Sequence, residues 1–255
     1  MSRLILALPL LIVACGGEIG IGDLDTDTDA DTEPDWSMYE GASLRIVQPA
    51  SASFLPLGET HRFQAEVYAA DGTVLDEDFD VTWDSSVDPQ WTPDGLSFDD
   101  ATIDVGIHDL TAEVELPNGN RLAHTVGGVL VQAEAAGTYV GTLSGGTTIQ
   151  QVPVSCAGGA VLIVDPYGEV VDGTAECLIR LNNFELPLDF TVESTLDQGA
   201  VDGDVTAEVF SFPIAFPTEG TLAGEDLDLA FKGTIIANEF TGDIHTTRIS
   251  RDAGL

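Results

Sequence analysis

From about residue 43 onward, short runs of alternating apolar and polar residues recur roughly every ten positions, separated by Gly, Pro, Asp and Asn. Arg62-Phe63-Gln64-Ala65-Glu66-Val67-Tyr68 and Leu110-Thr111-Ala112-Glu113-Val114-Glu115-Leu116 show the period of two that gives a strand one buried face and one wet face. No stretch sustains a helical period. Asp71-Gly72, Asn118-Gly119, Asp172-Gly173 and Asp202-Gly203 read as hairpin turns, because this dipeptide type supplies positive φ without steric cost. The second half carries related fragments: Gly137-Thr138-Tyr139-Val140, Gly173-Thr174-Ala175-Glu176-Cys177, Gly203-Asp204-Val205-Thr206, Gly220-Thr221-Leu222 and Gly233-Thr234-Ile235. They predict the strands of an antiparallel meander, eight to ten in number, with glycines where strands curve. Closure into a barrel would remove the exposed edges. The expectation is an all-β chain, with a β-sandwich over 43–133 and an antiparallel meander or barrel-like domain over 137–255.

The first residues follow another pattern. After Met1-Ser2-Arg3, Leu4 to Ala14 is unbroken apolar sequence, Pro9 included. A membrane-spanning helix needs about 20 such residues and a secretory leader only about 7 to 15, so residues 1–14 read as an export signal. From Gly16 to about Gly41 core-forming residues thin out, and acids alternate through Asp23-Leu24-Asp25-Thr26-Asp27-Thr28-Asp29-Ala30-Asp31-Thr32-Glu33-Pro34-Asp35. So little apolar content cannot offset ordering entropy, and repulsion extends the chain. About 25 residues reach roughly 25 to 30 Å as a tether. Alternating carboxylates also invite a calcium reading, although the sixth-position glycine and twelfth-position glutamate of an EF-hand loop are missing.

Ile12-Val13-Ala14-Cys15 resembles the lipobox of bacterial lipoproteins. The resemblance implies cleavage before Cys15, diacylglycerol on its thiol and acylation of the new amino terminus. Several acyl chains anchor durably where one binds only marginally. Gly16, where aspartate often signals inner-membrane retention, implies the outer membrane, on its periplasmic face or at the cell surface. Residues 15–42 are then a lipidated cysteine and acidic linker. Of the three cysteines this leaves Cys156 and Cys177, which an exported chain can oxidise to a disulfide. The loop of about twenty residues would contribute roughly 3 kcal/mol. A metal site is the alternative, but no second Cys or His lies near either residue.

Charge narrows the partners. Eight Lys and Arg against 44 Asp and Glu give a net charge of −36, and loss of Arg3 with the leader makes it −37. Phosphate neutralisation needs cations, so nucleic acid is excluded as a partner. Lys232 is the sole lysine, and no basic patch exists for anionic lipid. With 44% hydrophobic and 20% charged residues, the chain as a whole is predicted to fold.

Leu57-Gly58-Glu59, Phe63 to Val67, Val81-Thr82-Trp83-Asp84-Ser85-Ser86 and Gly106-Ile107-His108-Asp109-Leu110-Thr111-Ala112 come in an order that resembles bacterial Ig-like and PKD-like surface modules. The resemblance implies that Trp83 packs between two sheets and that His108 takes a corner position, its ring bonded back to the chain. The region contains no cysteine, so the likeness is to the architecture and not to antibody domains. Trp36, Trp91 and Phe98 sit in tether or loop sequence. Of these, Trp91, in Asp88-Pro89-Gln90-Trp91-Thr92-Pro93, is the candidate ligand contact by stacking on a sugar ring, against a plain role in capping the sandwich core.

No nucleophile elbow, zinc-helix, phosphate-loop or dinucleotide motif occurs, and His61, His108, His124 and His245 stand singly. No catalytic residue, metal site or cofactor is assigned. The expected role is a non-catalytic envelope lipoprotein, held to the membrane by lipid, whose β modules bind a protein or glycan or serve as structural spacers. The alternatives are an exported hydrolase or a carrier of a small apolar ligand, either with its site in the C-terminal β domain.

Overall fold

Alternation becomes sheet wherever one face can be buried. A computed structural model describes residues 36–181, 184–209, 212–235 and 238–253. The Cys15 lipobox and the acidic run at 23–35 lie outside these residues.

The first seven strands are β1 (Ser43–Gln48), β2 (Phe54–Pro56), β3 (His61–Tyr68), β4 (Val81–Ser85), β5 (Ser97–Asp100), β6 (Gly106–Glu115) and β7 (Arg121–Gln132). They form two sheets, ordered β1-β3-β5 and β2-β7-β6-β4, in an Ig-like sandwich. Inward residues alternate as the sequence pattern requires: Phe63, Ala65 and Val67 on β3 are buried with Leu110, Ala112 and Val114 on β6. Trp83 lies in this core, 1% exposed, and its indole N–H donates to the Gly95 carbonyl at 3.0 Å. The fold begins before position 43. Tyr39, within the expected linker, is buried edge-on against Phe79 and donates its hydroxyl hydrogen to Glu77.

Eight further strands, β8 (Gly137–Ile149), β9 (Val152–Val164), β10 (Val170–Leu181), β11 (Phe184–Asp197), β12 (Ala200–Val209), β13 (Phe212–Ala223), β14 (Asp226–Ile235) and β15 (Asn238–Ser250), run up and down in a closed barrel. β15 returns to pair with β8. An eight-stranded barrel is just wide enough for side chains to fill it. Phe190, Phe216, Phe231 and Phe240 meet at its centre, with ring centroids 5.7 to 6.5 Å apart. Tyr139, Leu143, Leu162, Leu227, Leu229 and Ile244 pack around them.

Two of the four expected turns are not turns. Asn118-Gly119 and Asp71-Gly72 do turn the chain, with positive φ at each glycine. Asp172-Gly173 and Asp202-Gly203 lie inside β10 and β12. There a Cβ on Gly173 would run into the Val161 carbonyl, and one on Gly203 into the Glu193 carbonyl. These glycines let neighbouring strands approach where the wall bends.

Outward positions on β11 and β15 are mostly polar. Asp189, Thr191, Glu193 and Thr195 on β11, and Glu239, Thr241, Asp243 and Thr247 on β15, face solvent. A membrane-spanning barrel shows an apolar band outward, and these two strands have the reverse polarity. Sandwich and barrel belong to one unit, residues 36–255. Gln132, with no exposed surface, donates from Nε2 to the Arg251 carbonyl at 2.6 Å. The Ala133 N–H donates to the Pro166 carbonyl, and the Arg251 guanidinium covers the Phe54 ring at 4.1 Å.

Candidate binding surface

Cys156 and Cys177 are bonded across adjacent strands. Cys156 stands opposite Ile179 and Cys177 opposite Gly158, so the bond runs diagonally between β9 and β10. Both side chains turn into the barrel core, which makes the bond a staple of the wall.

Trp91 is not a surface platform. It is 5% exposed and packs on Phe63 and Phe98, with centroids 5.1 and 6.0 Å away, while its N–H donates to Asp100 at 2.8 Å. Burial pushes the Asp100 carboxyl up, but the hydrogen bonds from Trp91 and Thr102 outweigh it and hold the pKa below the ordinary aspartate value. Phe98, expected in a loop, lies on β5 and stacks on Phe63. Trp36 is 40% exposed.

One Ser–His contact resembles a nucleophile and its base, with 2.6 Å between Ser85 Oγ and His108 Nδ1. Its surroundings give it another role. The His108 Nε2–H donates to the Asp104 carbonyl at 2.9 Å, which leaves Nδ1 to accept from the Ser85 hydroxyl. Ser85 Oγ in turn accepts the N–H groups of Val87 and Asp88. Both side chains are buried, and desolvation pushes the His108 pKa below its ordinary value. The pair ties the corner of β6 to the end of β4, as the module resemblance implied for His108. Among the described residues, no group of three His, Cys, Asp or Glu is placed to hold a metal ion.

The outer wall of the barrel offers a candidate recognition surface, and two features organise it. Acids face each other without a cation between them: Asp172 opposite Glu193, Glu193 opposite Asp204, and Asp202 opposite Glu219. Beside them lies an exposed aliphatic strip. Val140 stands opposite Val161, with Ile163 two positions along the same face, and these are 38%, 45% and 40% exposed. Single exposed aliphatics are ordinary; three at neighbouring positions of one sheet face are a candidate contact site. An open groove of about 500 Å³ runs beside the strip, past Gly159 and Thr174 to Glu176 and Asp189. Such a surface suits an apolar side chain flanked by cationic groups. Sequence reasoning missed the strip because Val140, Val161 and Ile163 look like core residues until the barrel fixes which face of each strand points inward.

No protein-family model matches the chain, and no curated protein matches it. Among solved structures, the fibronectin(III)-like modules of Clostridium thermocellum CbhA align with 14% identity, over 68% of this chain and 90% of that one, at a TM-score of 0.28. At that score the likeness carries no argument.

Proposed function

We propose that the chain is an exported lipoprotein of the bacterial envelope, anchored through Cys15, whose sandwich and barrel form a non-catalytic module for display and binding. The observation that carries this reading is the filled barrel. Four phenylalanine rings occupy the centre where a carrier would need an open apolar cavity, so recognition falls to the outer surface of the module. The carrier alternative is dropped for want of that room. The acidic exterior suits a cation-rich setting outside the cytoplasm. The Cys15-dependent anchor is tested by fractionating cells that express the wild type or Cys15→Ser. The wild type is expected in the membrane fraction and the variant in the soluble extract of the envelope. A Cys15→Ser protein that stays in membranes would refute the anchor.

A further inference from the structure

Glycine inside a strand normally marks a close crossing. The barrel follows that rule at Gly141, Gly158, Gly173, Gly203 and Gly220, where a Cβ would strike a carbonyl of the neighbouring strand. Gly159 on β9 breaks it. A Cβ there meets nothing nearer than the Gly141 carbonyl at 3.8 Å, and its backbone is not in the left-handed region. A side chain would fit, and most would suit a strand better than glycine does. The fold does not need this gap.

The gap lies in the groove of the outer wall. Gly159 faces outward between Thr142 on β8 and Glu176 on β10. One outward position along β9, Val140, Val161, Thr174 and Thr191 stand side by side across four strands as an uncharged shelf. Ile163 extends its aliphatic end by one further outward position. On the other side of the shelf Glu176 stands opposite Asp189, both exposed. Like charges in a cross-strand pair repel, and a cation between them would relieve the repulsion. The groove of about 500 Å³ thus joins an aliphatic wall to two carboxylates across a bare glycine.

We infer that this groove takes a lysine side chain of a partner polypeptide, laid out in extended form along β9. The four-carbon stem would cover Gly159 and lean on Val140 and Val161, and the ammonium would reach Glu176 and Asp189. Outward positions on β9 repeat about every 6.7 Å, which is also the spacing of same-face side chains in an extended partner. Aliphatic residues two and four positions from the lysine would therefore meet Val161 and Ile163. A second copy of this chain is disfavoured as occupant. Its one lysine, Lys232, is paired with Glu239 at 2.8 Å, and its charge of −36 sets copies against each other. The inference deepens the proposed function: it rests on the reading that the module binds through its outer surface, and it does not depend on the anchor at Cys15.

The test uses the full chain carrying Cys15→Ser and an acetylated, amidated Lys-Thr-Ile-Thr-Ile peptide, with binding read from NMR shifts. Saturable shifts are expected at Gly159, Glu176 and Asp189 and at the methyl groups of Val140 and Val161. Acetylation of the lysine Nε, or replacement of both isoleucines by serine, is expected to weaken binding at least about tenfold. Gly159→Leu sends a side chain into open space; it is expected to hold or raise the melting temperature and to weaken binding by the same factor. Glu176→Gln with Asp189→Asn is expected to do likewise and to remove the salt dependence of binding. Asp202→Asn with Glu219→Gln, a facing acid pair elsewhere on the wall, is expected to leave binding unchanged. Undiminished binding by folded Gly159→Leu, equal binding of the Nε-acetylated peptide, or no shifts at millimolar peptide would overturn the inference. Groove shifts that grow with protein concentration alone would assign the groove to a second copy and overturn it too. Shifts centred elsewhere on the outer surface would overturn the lysine groove and leave outer-surface binding in place, whereas shifts centred on the Phe190, Phe216, Phe231 and Phe240 core would contradict that reading as well.

Discussion

His108 shows how one buried ring ties a corner of the sandwich together. It spans from the Asp104 carbonyl, to which Nε2–H donates, to the Ser85 hydroxyl, from which Nδ1 accepts. Burial holds its pKa below the ordinary histidine value of 6.5. As pH falls through that value, the unfolded chain takes up a proton that the folded chain binds only at lower pH. The contribution of His108 to stability is therefore complete above about pH 6.5 and is lost as pH drops toward the folded value. An NMR titration is expected to find this ring less charged at pH 6.5 than a histidine in the unfolded chain, with its midpoint at lower pH. His108→Ala strands the Ser85 hydroxyl and the Asp104 carbonyl, and is expected to cost at least about 2 kcal/mol in denaturant unfolding. The module resemblance made the role of His108 legible. Its partner Ser85 was not, because a contact between residues 23 apart depends on how β4 and β6 are set in register. For Trp91 the sequence left a ligand contact and a core-capping role side by side, and the structure shows the capping role; local sequence places it among prolines, and only the return of β5 carries Phe98 over it.

At the level of strands, period-two alternation was legible throughout, and so was the meander. Asp-Gly was not decisive, because the same dipeptide serves a positive-φ turn at Gly72 and a tight strand crossing at Gly173. Gly173→Ala separates the two roles. An added methyl normally favours an extended strand over glycine, yet here it collides with the Val161 carbonyl. The expected cost is about 1–3 kcal/mol by chemical denaturation, whereas a turn position of ordinary space would lose less. The facing acids of β10, β11 and β12 lead to the opposite expectation. Glu193 lies between Asp172 and Asp204 and gains no counterion from either neighbour. Glu193→Gln relieves repulsion across both ladders and is expected to raise the melting temperature by about 1–2 °C at low salt. The gain should shrink as added salt screens the wild type. A variant that melts lower would show that the row is held together by something other than its own chain.

Across the molecule, the sequence pattern divides the chain near residue 135, but the structure closes that division with contacts. Gln132 and Phe54 of the sandwich engage Arg251 beyond the last barrel strand, and the connecting residues are anchored on Pro166. None of these partners is near another in sequence, so the junction was not legible. Calorimetry of the wild type is expected to show a single unfolding transition. The double variant Gln132→Ala, Arg251→Ala is expected to split it into two, with the disulfide-stapled barrel melting last. Beyond the fold, the account rests on the thiol at position 15. The most direct measurement is intact-mass and fragment spectrometry of the mature amino terminus, purified from membranes. A chain that begins at Cys15 and carries diacylglycerol with an added acyl group is the expected result. An unmodified Cys15, or a protein that still begins with Met1, would contradict the account.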